Sequence, residues 1–259
     1  MEEKRFAVLI DADNNSKDYI KTVIDEITKE GVITYKRMYG DWTSPALKSM
    51  KEALLAYSIT PMQQYAYTKG KNSTDSAMII DAMDILYSGK VEGFCLVSSD
   101  SDFTKLASRL REAGMIVIGM GRQQTPKPFV AACNKFKFVD LIGGEQKQHT
   151  ESKTKPVSRK QKAASAGENA ETPLNEIKEA ISDMIEENAN DEGWTLVSIV
   201  GSLLQKKYSE FDARNYGYRR LVELLKGLKF EIMNVQDPNN KSNPTGYVVY
   251  VRERREKNA

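Results

Sequence analysis

The chain has 259 residues, of which 40% are hydrophobic, and its 38 lysines and arginines against 36 aspartates and glutamates give a formal net charge of only +2. This length allows two domains, but the balanced charge gives no strong argument for binding to nucleic acid. The single histidine lies in a polar stretch and the two cysteines have no motif spacing, which excludes imidazole-dependent zinc sites, catalytic triads, paired-histidine ribonuclease chemistry and a disulfide framework.

The same composition predicts where the protein resides. Cys95 and Cys133 lie in apolar stretches typical of buried thiols in a reducing compartment. The apolar run Phe6 to Ile10 near the start is too short for the core of a signal peptide, and no stretch approaches the length of a membrane span. We therefore expect a soluble, cytoplasmic protein with no membrane partner.

Residues 1–144 alternate between strand-like and helix-like patterns. Strands are predicted at residues 6–10, 32–38, 62–67, 93–98, 115–120 and 136–141. Helices are predicted at residues 16–30, 45–57, 75–88, 102–113 and 126–134. Alternation of this kind predicts an α/β domain of three layers around a mostly parallel sheet.

Acidic residues follow the ends of these predicted elements. The first strand stops at Asp11, and the fourth strand is followed by Asp100 and Asp102. Asp75 opens a middle helix that is apolar almost all round. Because parallel strands end at one edge of the sheet, we expect these four acids to meet there and to hold a divalent cation, Mg²⁺ or Mn²⁺.

A carboxylate-held cation suits hydrolysis of phosphodiester bonds, because it can generate hydroxide from bound water without a histidine base. Asn14 is placed to orient a ligand or a water. A simpler alternative stays open, since an aspartate that begins a helix is often only a cap. Several acids at one edge repel one another, however, and capping alone does not explain that cost.

Further candidates surround the four acids. The following basic residues flank the same edge and are candidates to contact a phosphate backbone, although exposed lysines are often only solvated: Lys69, Lys71, Arg122 and Lys127. Ser99 is a further candidate for substrate contact. Asp13 and Asp81 are secondary acids, and Asp81 is turned about 240° from Asp75 on a helix.

The second half of the chain begins with a change in composition. Residues 145–172 are polar and predict a flexible linker. Residues 173–252 predict three helices, which begin at Thr172-Pro173, at Thr195 and at Tyr216, followed by a two-stranded hairpin. This order predicts a small winged helix-turn-helix domain. Residues 253–259 form a basic tail.

Three motifs in the first 144 residues carry a family resemblance. An acid-x-x-Asn motif runs from Asp11 to Asn14, Lys71 precedes Asp75, and residues 98–103 read Ser-Ser-Asp-Ser-Asp-Phe. Together they resemble the NYN family of PIN-like nucleases. The resemblance implies metal-dependent endonucleolytic cleavage of RNA, with four metal-binding acids: Asp11, Asp75, Asp100 and Asp102. Where family members often have Gly-Val before the middle acid, this chain has Asn-Ser-Thr.

The C-terminal region carries a second resemblance. Trp194-x-Leu196, Val200-Gly201-x-x-Leu204 and the stretch from Phe211 to Tyr218, with the closing hairpin, are similar to the OST-HTH or LOTUS domain. The resemblance implies binding to RNA, or docking to a protein partner that handles RNA. The predicted contact residues are Tyr216, Gly217 and Arg219, and Tyr216 equally fits a place in the core.

Three functions remain open from the sequence. The first is a Mg²⁺- or Mn²⁺-dependent ribonuclease acting on RNA, expected to be single-stranded. The second is a phosphatase of the haloacid dehalogenase type, because Asp11-Ala12-Asp13 also resembles a nucleophile and acid pair that would form an aspartyl phosphate. The third is an RNA-binding adaptor whose acidic site is inactive.

Overall fold

The chain divides into two compact units, with the division between residues 170 and 171. The computed structural model describes residues 3–65, 73–142, 172–236 and 247–254. Almost all of the predicted linker and most of the predicted basic tail lie outside these ranges. Within the described ranges, no helix is both long enough and apolar enough to cross a membrane.

The N-terminal unit is built on a six-stranded sheet in which every neighbouring pair is parallel. Its strands are β1 (Arg5–Asp11), β2 (Val32–Gly40), β3 (Thr60–Gln63), β4 (Gly93–Val97), β5 (Ile116–Gly121) and β6 (Lys135–Phe138). Their order across the sheet is β3-β2-β1-β4-β5-β6, so β1 and β4 lie side by side at its centre. The predicted α/β class with a parallel sheet is confirmed.

Helices cover both faces of this sheet. They are α1 (Lys17–Ile27), α2 (Met50–Ala56), α3 (Ser73–Ser88), α4 (Thr104–Glu112) and α5 (Lys127–Ala132). Side chains alternate between the two faces of a strand, so Ile10 packs in the core beneath α1 and α2, while Leu9 packs in the core beneath α3, α4 and α5. The predicted three layers follow from these two cores.

The bounds of the two edge strands and of one helix differ from the prediction. The edge strand β3 covers residues 60–63 and so begins two residues before the predicted 62–67, of which residues 66 and 67 lie outside the described ranges. Strand β6 covers residues 135–138 rather than 136–141. The helix predicted at residues 45–57 is divided into a short 3₁₀ turn at Pro45–Leu47 and α2. Ser44 caps the turn by accepting a hydrogen bond from the amide of Ala46, and proline fits its first position.

The C-terminal unit combines helices with a small antiparallel sheet. Its elements are α6 (Leu174–Asn188), β7 (Thr195–Leu196), α7 (Val197–Lys207), α8 (Leu221–Gly227), β8 (Glu231–Gln236) and β9 (Tyr247–Arg252). The strands are ordered β7-β9-β8. Ile181, Leu204 and Leu224 are among the fully buried side chains of a core that α6, α7 and α8 share.

Two predicted helix starts in this unit are wrong. Thr195 pairs with Val251 in the sheet, so α7 begins only at Val197 and the sheet has three strands rather than two. The helix predicted from Tyr216 is a 3₁₀ turn over Ala213–Tyr216 that ends at Gly217, and α8 follows from Leu221. Gly217 has a φ of 79°, a left-handed conformation that ends a helix and favours glycine.

A close approach between β4 and β5 gives a stability prediction. A Cβ atom at Gly121 would lie 2.6 Å from the carbonyl oxygen of Ser98 and 2.6 Å from Oγ1 of Thr125. Because one of these atoms belongs to the backbone, Gly121→Ala is expected to lower the free energy of unfolding by roughly 1–3 kcal/mol. Thermal unfolding followed by circular dichroism measures this loss.

Gly201→Ala is the matched control. A Cβ atom there would lie 3.1 Å from Cδ2 of Leu221, which is the end of a flexible side chain. Gly201 lies inside α7, where alanine is favoured over glycine by about 0.5–1 kcal/mol. A loss of stability in this variant equal to that of Gly121→Ala would contradict the explanation by backbone contact.

Candidate metal centre

Three aspartates converge at the edge of the sheet where β1 and β4 end. Asp75 lies in the first turn of α3, and Asp100 and Asp102 lie in the segment between β4 and α4. Each offers a carboxylate oxygen, and these three atoms all lie within 4.8 Å of one another. Asp75 and Asp100 are partly buried and Asp102 is exposed, so solvent reaches this group.

The local structure after β4 explains how two of these acids are held. The Oγ of Ser98 accepts a hydrogen bond from the amide of Asp100 at 3.1 Å, and Oδ1 of Asp100 accepts one from the amide of Asp102 at 3.0 Å. Asp100 thereby caps the 3₁₀ turn over Ser101–Phe103. An ionised carboxylate has two oxygens with several acceptor positions, so a cap can also be a metal ligand.

Asp11 lies beside this group but is not one of the three. It is buried, and its Oδ2 accepts hydrogen bonds from Nδ2 of Asn14 at 2.6 Å and from Oγ of Ser98 at 2.9 Å. Its Oδ1 accepts one from the amide of Asp13 at 3.1 Å. Burial raises the pKa of Asp11, and the hydrogen bonds from Asn14 and Ser98 partly oppose that rise.

The pKa of Asp75 indicates whether the group of three aspartates is suited to bind a cation. The pKa of Asp75 is raised from 3.8 to about 6, first by burial. The charges of four neighbouring aspartates raise it further: Asp11, Asp100, Asp102 and Asp13. A divalent cation among these oxygens would neutralise that repulsion, and oxygen donors in this number suit a partly hydrated Mg²⁺ or Mn²⁺. The residues present therefore fit such an ion.

The sequence did not reveal the part played by Asn15. Its Nδ2 donates a hydrogen bond to the carbonyl of Asp11 at 2.7 Å and another to the carbonyl of Val97 at 2.9 Å. One side-chain amide thus ties together the ends of the two central strands, because it carries two donors. No spacing in the sequence could have predicted this, since the two carbonyls are far apart along the chain.

A basic side chain borders the acids. The amide of Arg122 donates to Oγ of Ser99 at 2.9 Å, and Nη2 of Arg122 donates to the carbonyl of Asn14 at 3.4 Å. Within the described part of the chain, the buried Nε of Arg122 has no hydrogen-bond partner. A buried donor without a partner costs free energy, so this guanidinium is suited to an oxyanion.

Of the other predicted residues, two lie outside the part of the chain that the structure describes and two are exposed. Lys69 and Lys71 fall among residues that the structure does not describe. Lys127 is exposed at the start of α5, and Asp13 is exposed while its amide supports Asp11.

Asp81 is not brought to the three acids. Its carboxylate forms an ion pair with Arg37 and accepts a hydrogen bond from the hydroxyl of Tyr39, both on β2. Its direction on the helix agrees with the predicted rotation away from Asp75. The secondary role predicted for Asp81 as a ligand is therefore not supported by its position.

Comparison with known families agrees with this geometry. The family model of the NYN domain matches residues 5–141, which is more than half of the chain. The chain belongs to the NYN family. The family model of the OST-HTH/LOTUS domain matches residues 172–242. Both predicted resemblances are confirmed, and they support a nuclease of the PIN-like superfamily joined to an RNA-binding type of domain.

Solved structures similar to the chain are distant. A protein of unknown function from Vibrio parahaemolyticus is 20% identical, with 52% of this chain and 92% of that chain covered and a TM-score of 0.45. An uncharacterized protein from Nitrosomonas europaea is 22% identical, covering 42% and 94%, with a TM-score of 0.27. MurG from Acinetobacter baumannii is 12% identical, covering 52% and 40%, with a TM-score of 0.36. No curated protein matches the chain.

In the LOTUS domain, the three predicted contact residues differ in their surroundings. Tyr216 packs against the core, with its ring centroid 6.0 Å from that of Phe211, and its hydroxyl donates to the carbonyl of Thr172 at 3.0 Å. Gly217 and Arg219 are exposed. Gly217 and Arg219 therefore offer more surface to a partner than Tyr216, which is partly buried and holds the turn before them.

Proposed function

We propose that the NYN domain is a Mg²⁺- or Mn²⁺-dependent endoribonuclease and that the LOTUS domain supplies affinity for RNA. The observation that supports this most directly is the group of three aspartates whose oxygens lie within 4.8 Å of one another in a domain of the NYN family. Acids that repel one another in the metal-free protein are suited to bind a divalent cation.

The residues of the site have different proposed roles. Asp75, Asp100 and Asp102 would hold the cation. When bound, the cation supplies a water of lowered pKa and neutralises negative charge on the phosphate undergoing attack. Asn14 and Ser98 hold the carboxylate of Asp11 in one orientation beside these acids. Burial raises the pKa of Asp11, which suits it to take up a proton.

Arg122 is proposed to contact the phosphate. Its main chain is fixed by Ser99, its Nη2 is held by the carbonyl of Asn14, and its buried Nε is still able to donate. A guanidinium matches two phosphate oxygens with two parallel hydrogen bonds. Lys69 and Lys71 lie outside the described residues. They are proposed as further contacts to the phosphate backbone of the RNA.

The partner and the location are also part of the proposal. Single-stranded RNA is the proposed substrate, and Gly217 and Arg219 are proposed to contact RNA or an RNA-handling protein from the LOTUS domain. A cytoplasmic location is supported by two buried free cysteines, Cys95 and Cys133, in which burial raises the thiol pKa and favours the unreactive form.

The proposal is tested with labelled RNA. The purified full chain is incubated with linear single-stranded RNA, circular RNA, duplex RNA and DNA, in Mn²⁺, in Mg²⁺ or in a chelator. We expect both single-stranded RNAs to be cut with a metal ion and neither to be cut in chelator. Cutting of circular RNA identifies internal cleavage, because a circle has no ends.

Other results would indicate the alternative functions. RNA that is bound but never shortened, under any metal ion, would identify an adaptor and contradict the proposed activity. Transfer of a labelled phosphoryl group onto Asp11 from a small phosphate ester would identify a phosphatase of the haloacid dehalogenase type.

A further inference from the structure

A partly buried polar network joins α3 to the sheet below it. Asp81, in the middle of α3, uses Oδ1 to bind Arg37 and Oδ2 to bind the hydroxyl of Tyr39. Asp81 is 16% exposed, Arg37 is 25% exposed and Tyr39 is 1% exposed. Both oxygens of one carboxylate are thus used to connect a helix to two residues of β2.

The network lies close to the metal centre. Tyr39 is the partner of Asp11 in the register of β2 with β1, so its ring lies beneath the same edge of the sheet. Asp75 and Asp81 are on one helix, about 9 Å apart along its axis. A movement of α3 relative to β2 would therefore move Asp75 relative to the other acids.

Hydrophobic packing leaves the rotation of α3 weakly defined. Met78, Ala82 and Ile85 of α3 face the core and are buried, but Ile80 is 63% exposed and Tyr87 is 74% exposed on the opposite side. Burial of apolar surface has no direction, and α3 carries apolar residues on both sides, so burial distinguishes its rotations less sharply than it would for a helix with one apolar stripe. Directional hydrogen bonds from Arg37 and Tyr39 distinguish one of them.

Electrostatic repulsion acts on the same helix. Asp75 lies in the first turn of α3, and one of its carboxylate oxygens lies within 4.8 Å of carboxylate oxygens of Asp100 and Asp102, so like charges meet there. In the metal-free protein this repulsion acts to turn or lift that end of the helix away from the sheet. Something other than the cation must then keep Asp75 in place.

We propose that Arg37, Tyr39 and Asp81 fix the rotation of α3 and so hold Asp75 beside Asp100 and Asp102. Asp81 is then a positioning residue for the metal centre and not one of its ligands. The consequence for metal binding rests on the proposed function, whereas the fixing of the helix does not. Groups that orient metal ligands from outside typically change metal affinity by about 10–100-fold when they are altered.

The test compares matched variants of the full chain. Asp81→Asn keeps the shape of the side chain but removes its charge, and Tyr39→Phe removes only one hydroxyl. The control is Glu26→Gln in α1, because Glu26 forms a similarly buried ion pair between a helix and the sheet, with Lys137 of β6 at 3.1 Å. That ion pair lies on the opposite face of the sheet, away from α3.

The first measurement is amide hydrogen exchange at residues 74–80 in metal-free protein. We expect exchange there to be faster in Asp81→Asn than in the wild type, and unchanged in Glu26→Gln, because only the first variant releases α3. The second is a titration with Mn²⁺ followed by electron paramagnetic resonance. Affinity is expected to fall by about 10-fold in Asp81→Asn, by less in Tyr39→Phe, and not at all in Glu26→Gln.

The outcomes separate the two proposals. If Asp81→Asn and Glu26→Gln have the same exchange at residues 74–80 and the same affinity for Mn²⁺, the inference is overturned. If Asp81→Asn does not fold, Tyr39→Phe decides by the same two measurements. If the wild type binds no Mn²⁺, the proposed function fails, while the exchange rates still test whether the network fixes α3.

Discussion

Asp75→Asn and Asp100→Asn are each expected to lower the rate of Mn²⁺-dependent RNA cleavage by about 10³-fold or more, which corresponds to about 4 kcal/mol of lost transition-state stabilisation. Each variant replaces a charged oxygen donor with a neutral amide, so the cation is both less tightly held and less well placed. Single-turnover cleavage of labelled single-stranded RNA, with protein in excess, measures the chemical step.

Asp84→Asn is the control for this first result. Asp84 is an exposed acid on α3 but is not one of the three that converge. Its replacement removes the same charge from the same helix and is expected to change the rate by less than about twofold, because exposed charges are well screened. An equal loss of rate in all three variants would show that net charge, and not the metal centre, governs cleavage.

Asp75→Asn is also expected to make the metal-free protein more stable. The pKa of Asp75 in the folded protein is about 6 and its ordinary value is 3.8. Between these values the folded protein binds more protons than the unfolded chain, so stability falls as the pH rises through that window. After a discount for partial exposure, the ionised side chain costs about 1–2 kcal/mol near neutral pH. The amide removes that cost.

Melting temperatures in chelator measure the effect. Asp75→Asn should melt above the wild type near neutral pH, and the difference should shrink as the pH is lowered towards the ordinary pKa of aspartate. Added Mn²⁺ should stabilise the wild type, by about 2.7 kcal/mol at a hundredfold excess over its dissociation constant, and should leave the variant nearly unchanged. A variant that melts below the wild type in chelator would contradict the proposed repulsion.

The sheet could be predicted because its central strands have a distinctive composition. Phe6 to Ile10 and Gly93 to Val97 are continuous apolar runs, which is what a strand covered on both faces requires. The edge strand β3 was misplaced by two residues at its start, because four residues that include Pro61 carry little periodic signal. Burial determines the pattern, so the least buried strand is the least predictable.

The candidate site was likewise only partly predictable from the sequence. Asp75, Asp100 and Asp102 could be placed together because parallel strands end at one edge of a sheet. The contacts between distant segments could not be predicted, such as those from Asn15 to the carbonyl of Val97 and from Ser98 to Asp11. Asp81 shows the same limit, because helical geometry predicted its direction but nothing in the sequence indicated Arg37 as its partner.

Two helix starts in the LOTUS domain were predicted wrongly, one because of a distant strand pairing and one because of a local turn. Threonine is a common residue at the start of a helix, but Thr195 pairs with Val251 of β9 and therefore belongs to the sheet. Asp212 begins a turn by accepting a hydrogen bond from the amide of Arg214 at 2.9 Å, and Gly217 ends it before a full helix forms. Such short turns compete closely with helices, and tertiary pairing decides between them.

The central position of β1 beside β4 has a consequence for synthesis of the protein. The acids belong to segments that span residues 11 to 102, and β4 receives its second neighbour only when β5 has been made. A ribosome-bound chain that stops short of these segments carries single acids without their companions. The proposed activity therefore requires a nascent chain that extends at least through β5, a point that precedes the LOTUS domain in the sequence.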